Sequence, residues 1–165
     1  MKKTLLFITL ISLSLCAAAQ KKSSFPFKGG VEHMMNFFKD SVIVSQDIIQ
    51  RKATGTVTLK FTADALGRVS KIVLYYADDA GLAQSAADAL KRSTGKWDIP
   101  LRVNNNDYLI TFSFNFIPPA APGVDLVNAV YDYNINHKPI TFPNQLMTDD
   151  CILLPTVTVN YDIPQ

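Results

Sequence analysis

The sequence predicts an α+β protein, a two-layer α/β sandwich in which about two or three helices cover one face of a small antiparallel sheet of roughly three strands, with a further strand offered by the tail. Three observations predict it. Thr56–Thr62 and Val69–Tyr76 alternate polar and apolar residues with period two on either side of a short turn. A third alternating run spans Tyr108–Phe116, and the Ala- and Leu-rich residues 80–93 between them follow the period of a helix.

The first elements in chain order are a leader and a short lead-in. Lys2 and Lys3 precede an apolar core from Thr4 to Leu15, and Ala17-Ala18-Ala19 supplies small side chains, the order of a signal peptide removed near Ala19. The apolar run falls short of the roughly 20 residues a permanent membrane helix needs. Cys16 offers lipidation as an alternative, against which Leu15 directly before it stands, since a small residue is usual there. Residues 20–30 read as an extended lead-in ending at Gly29-Gly30. Val31–Lys39 then places Val31, Met34, Met35 and Phe38 on one helical face and Glu32, Asn36 and Lys39 on the other. Ser45–Lys52 is a second, weaker helix with Ile48 and Ile49 inward and Ser45 and Asp47 as capping residues.

The hairpin follows. Val57, Leu59 and Phe61 share one face of its first strand, and Asp64–Gly67 turns the chain, with Gly67 able to take a positive φ. In the next helix Leu82, Ala86, Ala89 and Leu90 form the apolar stripe, with Asp78 or Asp79 at the positive end and Lys91 and Arg92 at the negative end. Residues 102–107 read as a polar loop. In the closing strand Tyr108, Ile110, Phe112, Phe114 and Phe116 oppose Leu109, Thr111, Ser113 and Asn115, which gives it one aromatic face. Pro118 to Gly123 marks a boundary, so the domain is expected at 31–117 and residues 118–165 form a tail packed on it. The tail holds a short helix at Asp125–Tyr133, a Pro-punctuated stretch from Pro139 to Pro143 and a last alternating run, Thr156–Tyr161.

Charge and composition exclude several function classes. Subtracting Lys2 and Lys3 from the 16 Lys+Arg leaves 14 to balance the 14 Asp+Glu, so the exported chain is formally neutral and has no basic footprint for nucleic acid. Loss of Cys16 leaves Cys151 alone, which rules out an internal disulfide and predicts an inert buried thiol beside Ile152-Leu153-Leu154. With His33 and His137 as its histidines, the chain lacks a zinc site of usual Cys/His spacing. Asp149-Asp150 with Cys151 and His137 reads as a surface loop before it reads as a metal site. Asp78-Asp79 suits helix capping better than acid–base work, because nothing nearby separates their pKa values. There is no Gly-rich phosphate loop or nucleophile elbow, so no enzyme is expected, and no cofactor or metal.

From residue 25 to residue 117 the order of features resembles the C-terminal domain of TonB proteins, the periplasmic partners of outer-membrane transporters. The residues that carry the resemblance are Gly29-Gly30 before a helix with Phe37-Phe38, Gly55 leading Val57–Phe61, and the Asp64–Gly67 turn with Arg68-Val69. The Ala86–Leu90 helix, Lys96-Trp97 with Pro100, and the closing strand Phe112–Phe116 complete it. The chain departs from the family at Ser41–Ser45, where a Tyr-Pro pair is common, and it shows neither the retained membrane anchor nor the long Pro-rich spacer of a complete TonB.

The resemblance implies a periplasmic protein-binding module. Its edge strand, Tyr108, Leu109, Ile110, Thr111, Phe112, Ser113, Phe114, Asn115 and Phe116, would accept an extended segment of an outer-membrane transporter or other envelope partner through main-chain groups. The aromatic side chains of that strand are expected under the helices, and Trp97 over the end of the sheet. The alternative is an envelope-assembly protein, a homodimer for example, that self-associates through the same edge. Thr156–Tyr161 is expected to compete for that place, so that a truncation ending near Pro119 would bind transporter-derived peptides better than the full chain.

Overall fold

The computed structural model of the protein describes residues 25–99, 105–141 and 151–162. The expected signal peptide, Pro100 and the Asp149-Asp150 pair lie outside them. In chain order the elements are α1 (Gly30–Ser41), α2 (Gln46–Arg51), β1 (Gly55–Asp64), β2 (Val69–Ala77), α3 (Ala80–Arg92) and β3 (Asn105–Phe116), followed by α4 (Val124–Asn136), β4 (Ile140–Thr141), β5 (Cys151–Leu153) and β6 (Val157–Tyr161). The architecture is α+β, with helices packed on one sheet of order β4-β2-β1-β3-β5, and β6 also on β3.

The predicted hairpin is β1 with β2. Val57, Leu59 and Phe61 are buried, as the alternation requires. In the turn, the Asp64 carboxylate accepts from the Leu66 and Arg68 amides, each at 2.9 Å, and the Gly67 amide donates to the Asp64 carbonyl at 2.8 Å. Gly67 adopts φ +74°, and a Cβ placed there would lie 2.5 Å from the Trp97 carbonyl oxygen. Both the left-handed conformation and the close backbone therefore demand glycine. Gly67→Ala is expected to lower unfolding free energy by about 1–3 kcal/mol. An unchanged urea midpoint would contradict this.

Helix α3 begins where its charges predict. The Asp79 side chain accepts from the Gly81 and Leu82 amides, satisfying donors that have no intrahelical partner. Arg51 at the end of α2 reaches both Asp47 and Asp79, tying α2 to α3. Burial pushes the Asp79 carboxyl up, but the Arg51 guanidinium and the cap amides outweigh it and leave the group below its ordinary value. Leu82, Ala86, Ala89 and Leu90 are buried, with α3 lying against β1 and β2 and α1 against β6 and α3. On α1, Met34 and Phe38 are buried as expected. Val31, expected on the same buried face, is 44% exposed in the first turn of the helix.

Two differences from the sequence reading concern the sheet. Strand β3 begins at Asn105, inside the expected polar loop, because Asn105–Asp107 continue the antiparallel ladder opposite Asp64–Thr62. The Thr62 hydroxyl donates to Asp107 at 2.6 Å and Lys60 pairs with it at 2.8 Å. Second, the tail makes the sheet mixed rather than antiparallel: β5 and β6 both run parallel to β3. After β3 the chain passes through α4 to β4, which lies at the far border beside β2 and runs opposite to β3; β5 and β6 run opposite to β4 and so along β3.

Candidate functional site

The strand predicted to bind a partner lies inside the sheet. Along one side, the whole of β1 pairs with β3, from Gly55↔Phe114 to Asp64↔Asn105. Along the other side, β5 covers Asp107–Leu109 and β6 covers Phe112–Phe116. Between them the Leu154 amide donates to the Leu109 carbonyl at 2.9 Å, and beyond them the Ile117 amide donates to the Tyr161 carbonyl at 2.8 Å. The edge expected to be free is thus occupied by the chain's own tail, as the alternation at Thr156–Tyr161 suggested.

Side chains of this strand divide as the sequence predicts. Tyr108, Ile110, Phe112 and Phe114 are buried, while Phe116 is half-buried with its ring 5.6 Å from that of Tyr161. On the opposite face Leu109, Thr111 and Ser113 are half-buried and Asn115 is exposed. Thr111 meets the Thr58 hydroxyl at 3.2 Å, and the Asn115 amide donates to the Asn160 side chain at 3.2 Å. The register Phe112↔Val157, Phe114↔Val159 and Phe116↔Tyr161 puts the alternate apolar residues of β6 into the same layer as the aromatic face of β3. Val157, Val159 and Tyr161 are buried; Thr158 and Asn160 are exposed.

Two tyrosines fasten the tail. The Tyr161 hydroxyl donates to the Ala53 carbonyl at 2.7 Å, and the Tyr133 hydroxyl on α4 donates to the Thr54 carbonyl at 3.0 Å. Sequence reading missed both as anchors; their signal was an aromatic residue with a polar tip closing an apolar face. Burial pushes the Tyr161 phenol from 10.0 up to about 12 and Tyr133 further in the same direction. The sign follows from a folded-state pKa above the unfolded one. The contribution of the neutral phenol is complete below pH 10.0 and is lost as pH rises through about 12. Tyr161→Phe is expected to flatten that alkaline loss of stability; equal loss in both proteins would contradict it.

A polar cluster surrounds the tail's second anchor. The His137 ring stacks on Tyr133 at 5.2 Å and 10°, and its Nε2 lies 3.7 Å from an Asp78 carboxylate oxygen. Asp78 also accepts from the Thr56 amide at 2.6 Å and from the Tyr76 hydroxyl. His33 is exposed on α1. Cys151 is half-buried in β5 rather than fully buried, and Ile152 and Leu153 beside it are exposed. Burial still pushes its thiol up, which disfavours the reactive thiolate. Among the described residues no group of three or more His, Cys, Asp or Glu could hold a metal ion, and no helix is long and apolar enough to cross a membrane.

A hollow of about 250 Å³ opens between the loop before α2 and the outer side of α3. Its Ser85 hydroxyl donates to the Ile43 carbonyl at 2.5 Å, and Arg92 donates to the Ser41 carbonyl at 2.6 Å. These groups brace the loop against the helix. The conspicuous device in the described structure is therefore the sheet edge and the tail strand laid along it. No protein-family model matches the sequence, and no curated protein or solved structure matches it either.

Proposed function

We propose that this chain is a periplasmic protein-binding module of the TonB C-terminal type, which takes an extended segment of an outer-membrane transporter or other envelope partner by strand addition at the edge of β3. One observation carries the proposal: that edge already accepts a strand, with β6 laid along Phe112–Phe116. Because β6 is tethered in the same chain, it also indicates what the edge selects. The segment is short and neutral, with Val157, Val159 and Tyr161 at alternate positions sinking into the aromatic layer. A partner segment of the same pattern competes for the same main-chain groups, so the tail acts as a built-in competitor.

The test is capture from envelope extract, with the exported chain and with its Val159→Asp variant as baits. Outer-membrane proteins are expected to be retained more strongly by the variant and released by a peptide corresponding to residues 155–162. Equal capture by both baits, or capture that the peptide does not reverse, counts against strand addition at β3.

A further inference from the structure

The two lateral borders of the sheet differ in how they are finished. At one border β2 is irregular. Its register against β1 shifts twice, between Thr58 and Leu59 and between Lys60 and Thr62, and Lys71 adopts φ 48°. Bulges and a lysine are the devices by which an edge strand is protected from pairing with another chain. The short strand β4 covers its end at Tyr76 and Ala77.

At the other border β6 has none of these devices. It runs from Val157 to Tyr161 in unbroken register with β3, and it carries no charge, proline or bulge. The Tyr161 carbonyl accepts from Ile117 on the β3 side. In a parallel ladder, residues alternate in the side to which they turn both main-chain groups. Tyr161, Val159 and Val157 therefore face β3, and Thr158 and Asn160 turn their N–H and C=O groups outward. No strand among the described residues pairs with that side of β6.

We infer that two copies of this chain associate through the outer edges of their β6 strands, antiparallel about a two-fold axis at Val159. The pattern of outward groups is self-complementary. Thr158 of one copy falls opposite Asn160 of the other, and the reciprocal pair forms at the same time, so each outward N–H and C=O finds a partner. The two Val159 side chains meet on the covered face, and the Thr158 and Asn160 side chains meet on the open face. Since Val157–Tyr161 is uncharged, no like charges oppose across the axis. Contact along one short strand buries less than the roughly 1,200 Å² of a stable interface, so the dimer is weak and concentration-dependent. The inference does not rest on strand addition at β3, because it uses the opposite side of β6.

Sedimentation velocity of the exported chain from about 10 μM to about 1 mM is expected to show monomer passing to dimer. Asn160→Pro removes an outward amide while sparing those that face β3, a placement tolerated on an edge strand. It is expected to raise the dimer dissociation constant at least tenfold at unchanged far-ultraviolet dichroism.

A second pair of variants removes dependence on that substitution. Thr158→Lys/Asn160→Lys and Thr158→Glu/Asn160→Glu place like charges opposite one another, so each is expected to be monomeric alone and to form a heterodimer when the two are mixed. A wild-type monomer throughout the range, or a mixture that stays monomeric, overturns the inference. Failure here leaves envelope capture through β3 unaffected, and loss of that capture leaves the dimer unaffected.

Discussion

Trp97→Ala is expected to remove about 3–5 kcal/mol of unfolding free energy, the cost of deleting a large aromatic side chain from a packed core. The indole is 1% exposed. Its ring lies 4.8 Å from that of Phe61 and 5.4 Å from that of Tyr108, and it meets Phe27 edge-on at 5.1 Å. Its N–H donates to the buried Ser93 hydroxyl at 2.9 Å, and that hydroxyl donates to the Leu90 carbonyl at 2.6 Å. Alanine thus leaves both a cavity and a hydroxyl without its donor.

The lead-in is coupled to the same residue. It is held by the Lys28 amide on the Lys96 carbonyl and the Asp98 amide on the Pro26 carbonyl, so it loosens with the core. Trp97→Phe keeps most of the packing and should lose far less. Urea unfolding followed by circular dichroism checks both variants, because the chain's single tryptophan is the residue replaced. A loss below about 1 kcal/mol in the alanine variant would show that the aromatic cluster is not the keystone its packing indicates.

Val159→Asp is expected to detach β6 from the domain. Val159 is 5% exposed and pairs with Phe114 in the aromatic layer. An unpaired carboxylate in such a layer costs several kcal/mol, which is comparable with what one short terminal strand contributes. Peeling the strand away restores the carboxylate to water and leaves the hairpin intact, so local release is the cheaper response. The amides of Ser113, Asn115 and Ile117, which face β6, should then exchange at least tenfold faster with solvent, while those in β1 keep their protection. Uniform acceleration across β1 and β3 would instead mean that the tail is an integral part of one cooperative unit.

Legibility in the sequence depended on whether side chains or backbone set the structure. The hairpin and β3's aromatic face are readable because period-two alternation reports which side chains sink into the core. Helix α3 is readable because Asp79 and the Ala/Leu stripe state its start and its buried face. The start of β3 at Asn105 is not, since Asn105–Asp107 join the ladder by main-chain pairing and by the contacts of Asp107 with Lys60 and Thr62. Alternation is also blind to strand direction, so Thr156–Tyr161 announced a strand without saying that it runs parallel to β3. The reversal that sets this direction is carried by β4, which runs opposite to β3, and a two-residue strand leaves no alternation to read. Strand β5 escaped notice because Ile152 and Leu153 read as cover for Cys151, whereas both are exposed.

The most direct test of the account joins Ser113 and Thr158, which are register partners on the open face of β3 and β6. Ser113→Cys with Thr158→Cys, in a Cys151→Ser background, sets paired thiols on adjacent strands within the span of a disulfide. The account predicts an intramolecular disulfide on oxidation, loss of envelope capture while the tail is locked, and recovery of capture on reduction. Free thiols after oxidation, or full capture by the locked protein, would contradict the claim that the β3 edge is the binding edge and β6 its competitor.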